Sequence, residues 1–235
     1  MKNLLLASTS TLHGQEYLEY LLPEIKSHFE NCDRIVFIPY ARAGGITHAE
    51  YTEVARKAFL KAGLEISGIH EFPDPAEAIA AADGFFTGGG NTFLLVQELY
   101  RNDLLTPLRN AVTKGIPYLG TSAGTNIAGL DMKTTNDMPI VYPPSFKTLG
   151  LIPFNINPHY LDPDPDSTHK GETRETRIKE FHKFNTQPVV GLREGSWLEV
   201  KNGNTILKGP LSARIFECGK APYELESGNL LNDLT

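Results

Sequence analysis

The sequence predicts an α/β protein: a mostly parallel, twisted sheet with helices on both faces and a short antiparallel extension at the C-terminal end. Three observations carry this expectation. Short β-rich runs alternate with helical patterns through the first two-thirds of the chain, as covered parallel sheets require. Two glycine clusters each follow a strand pattern and open a helix, which places both where open α/β sheets bind ligands. The last third instead holds closely spaced short strand patterns, with Asn202-Gly203 supplying a hairpin turn.

Residues 3–7 read as a buried strand. Leu18, Leu21, Leu22, Ile25 and Phe29 then recur at helical spacing, with Pro23 an irregularity in the early turns. A β-rich run at 34–38 ends at Pro39. Tyr51, Val54, Ala55, Ala58, Phe59 and Ala62 mark one face of a second helix, stopped by Gly63. A strand at 64–69, a short helix at 75–82, a strand at 84–87 and a helix at 92–100 follow in turn. Residues 116–120 form the next strand, with a helix starting at Ala123. The late strands are expected at 189–192, 196–200, 205–208 and 213–218. The run Asp162-Pro163-Asp164-Pro165-Asp166 is too rich in proline to be helix or central strand.

At 235 residues the chain is read as one domain over 1–235, against a soft prior of ~150 residues per domain. With 40% hydrophobic and 21% charged residues it is neither disordered, collagenous nor membrane-spanning. The 28 acidic residues outnumber the 22 basic ones, which disfavours nucleic acid as a partner. Cys32 and Cys218 are the only cysteines and form no CxxC, so no zinc site or disulfide framework is expected. The first apolar run is too short for a signal-peptide core, and a cytoplasmic location is the plain expectation. The oligomeric state, monomer or homodimer, is not fixed by any pattern here.

Gly120-Thr121-Ser122-Ala123-Gly124 matches G-x-S-x-G between a strand and a helix. A serine projected from so sharp a turn needs small neighbours, and the following helix aims its first amides at the reacting centre. The bland alternative is a glycine-rich connection with Ser122 as a helix cap. Gly88-Gly89-Gly90 could present a second amide, from Gly90 or Gly89, opposite that of Ala123. Asn91 is then either a substrate contact or the cap of the next helix. No G-x-G-x-x-G or G-K-[ST] accompanies the cluster, so no nucleotide cofactor is expected.

A serine nucleophile needs a base, and usually a carboxylate to orient it. Of seven histidines, His28 and His182 fall on helix patterns and are expected at the surface. His159 follows Asn155-Ile156-Asn157-Pro158 where a strand gives way to a loop held stiff by proline. Two carboxylates compete for the orienting role: Asp137, in a turn before an expected apolar strand, and Glu194, at another strand end. Spacing does not separate them.

In this setting the chain resembles the peptidase E family of aspartyl dipeptidases, serine peptidases that also include cyanophycinase. The matching stretches are GGGNTF (88–93), GTSAGTN (120–126), TTNDMPIV (134–141), NINPH (155–159), HKGETR (169–174) and GLREGSW (191–197). The resemblance implies metal-independent hydrolysis of dipeptides that carry an N-terminal aspartate. It makes Ser122 the nucleophile, His159 the base and Asp137 its partner, and it places Glu194 near the site. The acidic loop at 161–168 departs from the family pattern and leaves substrate access open.

Arg174 also stands out on its own. On a helix expected from 172 to 184 it shares a face with Ile178 and Phe181, which turns a cation inward. It must snorkel or find a carboxylate, and a structural ion pair is one answer. The resemblance supplies another: Arg174 grips the aspartate side chain of the substrate, as a guanidinium can with two parallel hydrogen bonds. Glu194, if it does not orient the base, is a candidate for the substrate's α-ammonium group. The remaining alternatives are a cyanophycinase-like β-aspartyl hydrolase and a non-catalytic binding protein on the same scaffold. Asp137 follows Ser122 too closely for an ordinary α/β-hydrolase.

Overall fold

The computed structural model describes residues 1–163 and 171–234. Its first part runs β1 (Leu4–Ala7), α1 (Leu22–His28), β2 (Ile35–Ile38), α2 (His48–Lys61), β3 (Ile66–Gly68), α3 (Pro75–Ala81) and β4 (Gly84–Thr87). It continues with α4 (Thr92–Arg101), α5 (Leu105–Thr113), β5 (Tyr118–Thr121), the single turn α6 (Ala123–Asn126) and β6 (Asn155–Pro158). Then come α7 (Arg174–Phe181), β7 (Val189–Leu192), β8 (Trp197–Lys201), β9 (Asn204–Lys208), β10 (Ala213–Phe216) and β11 (Tyr223–Leu225).

The main sheet has seven strands in the order β3-β2-β4-β5-β1-β8-β9. Its first five are parallel, while the β8–β9 hairpin joins β1 antiparallel. Because successive side chains of a strand point to opposite faces, the continuous apolar runs build two cores. Leu4, Leu6, Val36, Ile38, Phe85 and Tyr118 pack on one side with α3, α4 and α5. Leu5, Ala7, Ile35, Phe37, Phe86 and Leu119 pack on the other with α1 and α2. Helices thus cover both faces, as the alternating pattern predicts.

The C-terminal extension divides where the sequence suggests one unit. Only β8 and β9 extend the main sheet, turning through Asn202 (φ 55°) and Gly203 (φ 83°) as Asn-Gly hairpins do. The strands β7, β10 and β11 form a second sheet, order β11-β10-β7-β6, in which β6 and β7 are parallel. Its Ile156, Val190, Leu192 and Ile215 close the first core, and α7 packs Ile178 on its far side with Tyr160, Val189 and Phe216.

Other departures have local causes. Pro23 sits in the first turn of α1, where a missing N–H costs nothing, and a 3-10 turn at Glu19–Leu21 carries the preceding apolar residues. The helix α5 has no counterpart among the expected elements; it buries Leu105, Leu108 and Val112. The strand expected after Asp137 does not form, and Met138 and Ile140 there are solvent-exposed. His28 is half-buried rather than fully exposed, and burial pushes its imidazole down to about 4. Residues 164–170, which hold most of the acidic loop as well as His169 and Lys170 of the matched HKGETR stretch, lie outside the described residues. No helix among the described residues is long and apolar enough to cross a membrane.

Candidate active site

The site forms where β1, β4, β5 and β6 end. Ser122 leaves β5 with φ 52° and ψ −110°, a strained geometry that only a crowded turn enforces. The crowding is measurable at the motif's glycines. A Cβ on Gly120 would lie 2.6 Å from the Gly124 carbonyl oxygen, and one on Gly124 would lie 2.2 Å from that of Thr87. A side chain at Gly120 would push the turn off β5, and one at Gly124 would push it off β4. From inside, the Thr125 hydroxyl donates to the Ala7 and Gly120 carbonyls, and the Ser122 amide donates to Ala7.

The His159 Nε2 lies 2.8 Å from Ser122 Oγ. His159 itself has φ 54°, and its amide donates to the hydroxyl of Ser8, which donates in turn to the Leu192 carbonyl. Ser8, fully buried at the end of β1, so fastens the histidine to both sheets. The sequence reading misses Ser8; its one signal is a serine placed directly after a buried strand. The asparagines of β6 complete the frame. Asn157 donates to Thr134 and Asn136, Asn136 donates to the Pro158 carbonyl, and Asn126 of α6 donates to Ile156.

The carboxylate against His159 is Glu194, not Asp137. Glu194 Oε1 lies 2.5 Å from His159 Nδ1. An ionised carboxylate only accepts, so Nδ1 carries the proton and Nε2 is left to accept from Ser122. Parallel pairing of β6 with β7, Pro158 opposite Leu192, brings the two loops side by side. Asp137 is committed elsewhere: its Oδ2 accepts from the Thr92 amide at 2.7 Å and the Thr135 hydroxyl at 3.0 Å. The first turn of α4 offers unpaired amides and a positive dipole end, and the anion is drawn there. Asn91 is the N-cap of that helix, accepting from Leu94 and donating to the Met138 carbonyl, so its side chain is occupied rather than open to substrate.

Around Ser122 two loops supply backbone amides. A Cβ on Gly89 would be 2.9 Å from Ser122 Cβ, which puts the glycine loop in contact with the nucleophile turn. Among the described residues the amides of Gly89 and Gly90 donate to no backbone acceptor, and Ala123 is the first residue of α6. A recess of about 20 Å³ is lined by Ser122, His159, Thr92, Asn126 and Asp137, among others. A larger cavity of about 440 Å³ opens beside Met1 and Lys2, at the opposite end of β1, and holds none of these groups.

Arg174 is the first residue of α7, which starts two residues later than expected, and it is half-buried. Burial lowers its pKa and Arg177 lowers it further, while the Asp137 carboxylate opposes both. The Asp137 carboxylate thus acts on the charge of Arg174. Arg193, beside Glu194, is clamped by Asp162, Glu224 and the Ser212 carbonyl. Its hydrogen bond holds the Glu224 carboxyl down at about 2. A carboxyl lowered in the folded state stabilises the protein above its unfolded value of about 4.3, and that contribution fades as pH falls toward 2. Melting temperature should therefore fall less steeply between pH 4.5 and 2 in Glu224→Gln than in the wild-type chain, as scanning calorimetry can check.

An α/β sheet that carries hydroxyl, imidazole and carboxylate in line at its strand ends defines a hydrolase of the serine type. The sequence matches the model of Peptidase family S51 over residues 4–208, and the chain belongs to that family. It is 53% identical to the Peptidase E of Streptomyces coelicolor over 232 residues, 99% of this chain and 94% of the relative. It is 46% identical to a Drosophila melanogaster protein named "Probable alpha-aspartyl dipeptidase" over 237 residues, 100% of this chain and 96% of that one. A solved peptidase from an acI-B1 Actinobacterium superposes with a TM-score of 0.73 at 18% identity, covering 98% of this chain and 96% of that one; this likeness concerns the fold.

Proposed function

We propose that this chain is a serine dipeptidase that releases an N-terminal aspartate from dipeptides. The observation that carries the reading is the continuous line from Ser122 Oγ through His159 to Glu194 at 2.8 and 2.5 Å. The names of the two relatives support the substrate class, and neither a β-aspartyl hydrolase nor a binding protein is favoured by them. Ser122 Oγ attacks the carbonyl of the N-terminal residue as its proton passes to His159 Nε2. Glu194 holds the ring and stabilises the imidazolium that forms. The oxyanion is received by the amides of Ala123 and Gly90, each such donor typically worth about 3–4 kcal/mol of barrier. His159 then protonates the departing amine, and a water activated by the same ring cleaves the acyl-enzyme, returning the proton to Ser122.

Arg174 takes the substrate's side-chain carboxylate in this reading, and the Asp137 carboxylate at the start of α4 acts on its charge. The test is a panel of Asp-Leu, Glu-Leu, Asn-Leu, Ala-Leu and β-Asp-Leu on wild type and Arg174→Ala. The wild type should prefer α-Asp-Leu, and the variant should lose about 10–1,000-fold in kcat/KM on it while changing little on Ala-Leu. Equal losses on every substrate would make Arg174 structural. A preference for β-Asp-Leu would overturn the substrate assignment.

A further inference from the structure

We propose that Tyr51 is a positioning residue for the reaction: its hydroxyl, backed by Tyr17, locks the Gly89–Gly90 peptide with the Gly90 amide turned toward Ser122. The inference rests on the serine-peptidase reading above and adds to it a device on α2, distant in sequence from the motif residues that it touches.

A glycine peptide has little of its own to fix its orientation. Turned over, the unit between Gly89 and Gly90 would offer a carbonyl oxygen where the oxyanion needs a donor. In a trans peptide the C=O of one residue and the N–H of the next point in opposite directions. Whatever holds the Gly89 carbonyl on one side therefore aims the Gly90 amide to the other. Tyr51 Oη donates to the Gly89 carbonyl oxygen at 3.2 Å. Tyr17 Oη donates to Tyr51 Oη at 3.1 Å, so the two hydroxyls point one way along a chain that ends at the peptide. Burial pushes the Tyr17 phenol well above its ordinary value, which keeps that donor protonated.

The ring that carries the hydroxyl is held on several sides. Tyr51 is 1% exposed, Phe37 meets it edge-on with centroids 5.0 Å apart, and the Arg42 guanidinium lies 4.4 Å over its face. The glycine loop is shaped to receive it. A Cβ on Gly88 would fall 2.5 Å from Tyr51 Oη, and one on Gly90 would fall 2.3 Å from the Ala41 carbonyl oxygen. That same Ala41 oxygen accepts from the Asn91 amide at 2.7 Å, which fixes the next peptide along. One peptide is thus pinned by a tyrosine and the next by a backbone carbonyl, with Gly90 between them and Gly89 against Ser122. A core tyrosine does need some partner for its hydroxyl. What exceeds that need is the choice of partner, the one carbonyl whose peptide also holds the oxyanion donor.

The experiment compares wild type, Tyr51→Phe, Tyr17→Phe and Ser122→Ala on α-Asp-Leu, together with inhibition by the boronic acid analogue of aspartate. That boronate forms a tetrahedral adduct on serine and places an oxygen in the oxyanion position. Tyr51→Phe should lower kcat about 10–100-fold with KM within about threefold, less than outright removal of a donor. The inhibition constant of the boronate should rise by a matching factor. Tyr17→Phe should show the same pattern at a few-fold, and it carries the test if Tyr51→Phe does not fold. A fall in kcat with boronate affinity unchanged would overturn the proposal, as would unchanged kcat in Tyr51→Phe. A wild type that ignores the boronate and stays active as Ser122→Ala would remove the serine reading, and the role of Tyr51 with it.

Discussion

Ser122→Ala should lower kcat on α-Asp-Leu by about 10⁴–10⁶-fold while the melting temperature stays within a few degrees of wild type. The two halves of this expectation have separate origins. The hydroxyl is the only atom of the side chain that the chemistry uses, and its loss leaves His159 with no nucleophile to activate. Residual hydrolysis would come from a bound water placed by the same amides and the same Arg174. The backbone at 122 is held at φ 52° by contacts of Gly120, Gly124 and Thr125, none of which involves the hydroxyl. Alanine inherits that strain without relieving it, so stability should barely move. Near-wild-type turnover would sink the nucleophile assignment. A large drop in melting temperature with lost activity would mean that the hydroxyl also holds the fold.

Half of this site is legible in local chemistry alone. Gly120 is required by its contact with Gly124 inside the turn and Gly124 by the close approach of Thr87, and because both stand two residues from Ser122 their spacing shows as a pattern in the sequence. His159 stands out because Pro158 marks the strand exit just ahead of it. The choice between Asp137 and Glu194 is different in kind. It depends on β6 lying parallel to β7 in a particular register, a pairing between residues thirty or so apart that no local pattern encodes. Both carboxylates look alike in sequence, each beside a turn at the edge of an apolar run.

The same distinction explains where the fold departs from expectation. The alternating strands and helices are legible because each apolar stripe reports its own burial. The C-terminal strands look like one group because antiparallel patterning says how a strand is buried, not which sheet it joins. Residues 138–141 resemble a strand on apolar content alone. Met138 and Ile140 are exposed there, and the segment is held by the Asn91 side chain on the Met138 carbonyl. The tether between Tyr51 and Gly89 is hidden for a related reason. Tyr51 fits the buried stripe of α2, and nothing in that stripe reveals where its hydroxyl ends.

Glu194→Gln should lower kcat by about 10²–10⁴-fold with KM little changed, and Asp137→Asn should not match it. An amide in place of the carboxylate can donate to His159 Nδ1 and so favour the wrong tautomer, with the proton on Nε2 facing Ser122. It also removes the charge that stabilises the imidazolium. Asp137 works on different partners. Its Oδ2 receives the Thr92 amide and the Thr135 hydroxyl, and its charge acts on Arg174. Asp137→Asn weakens an anion at a helix N-terminus, a loss of about 0.3–1 kcal/mol. It also alters the field at the cation that is proposed to bind substrate. Its signature should therefore be a lowered melting temperature, by roughly 1–4 °C for a chain of this size, with a change in KM for α-Asp-Leu larger than that in kcat. Measuring kcat, KM and melting temperature for both variants separates the two roles. If Asp137→Asn loses kcat as steeply as Glu194→Gln at constant KM, Asp137 takes the orienting role and the contact between His159 and Glu194 becomes incidental. If it loses mainly KM, the two carboxylates divide the work between proton transfer and substrate charge.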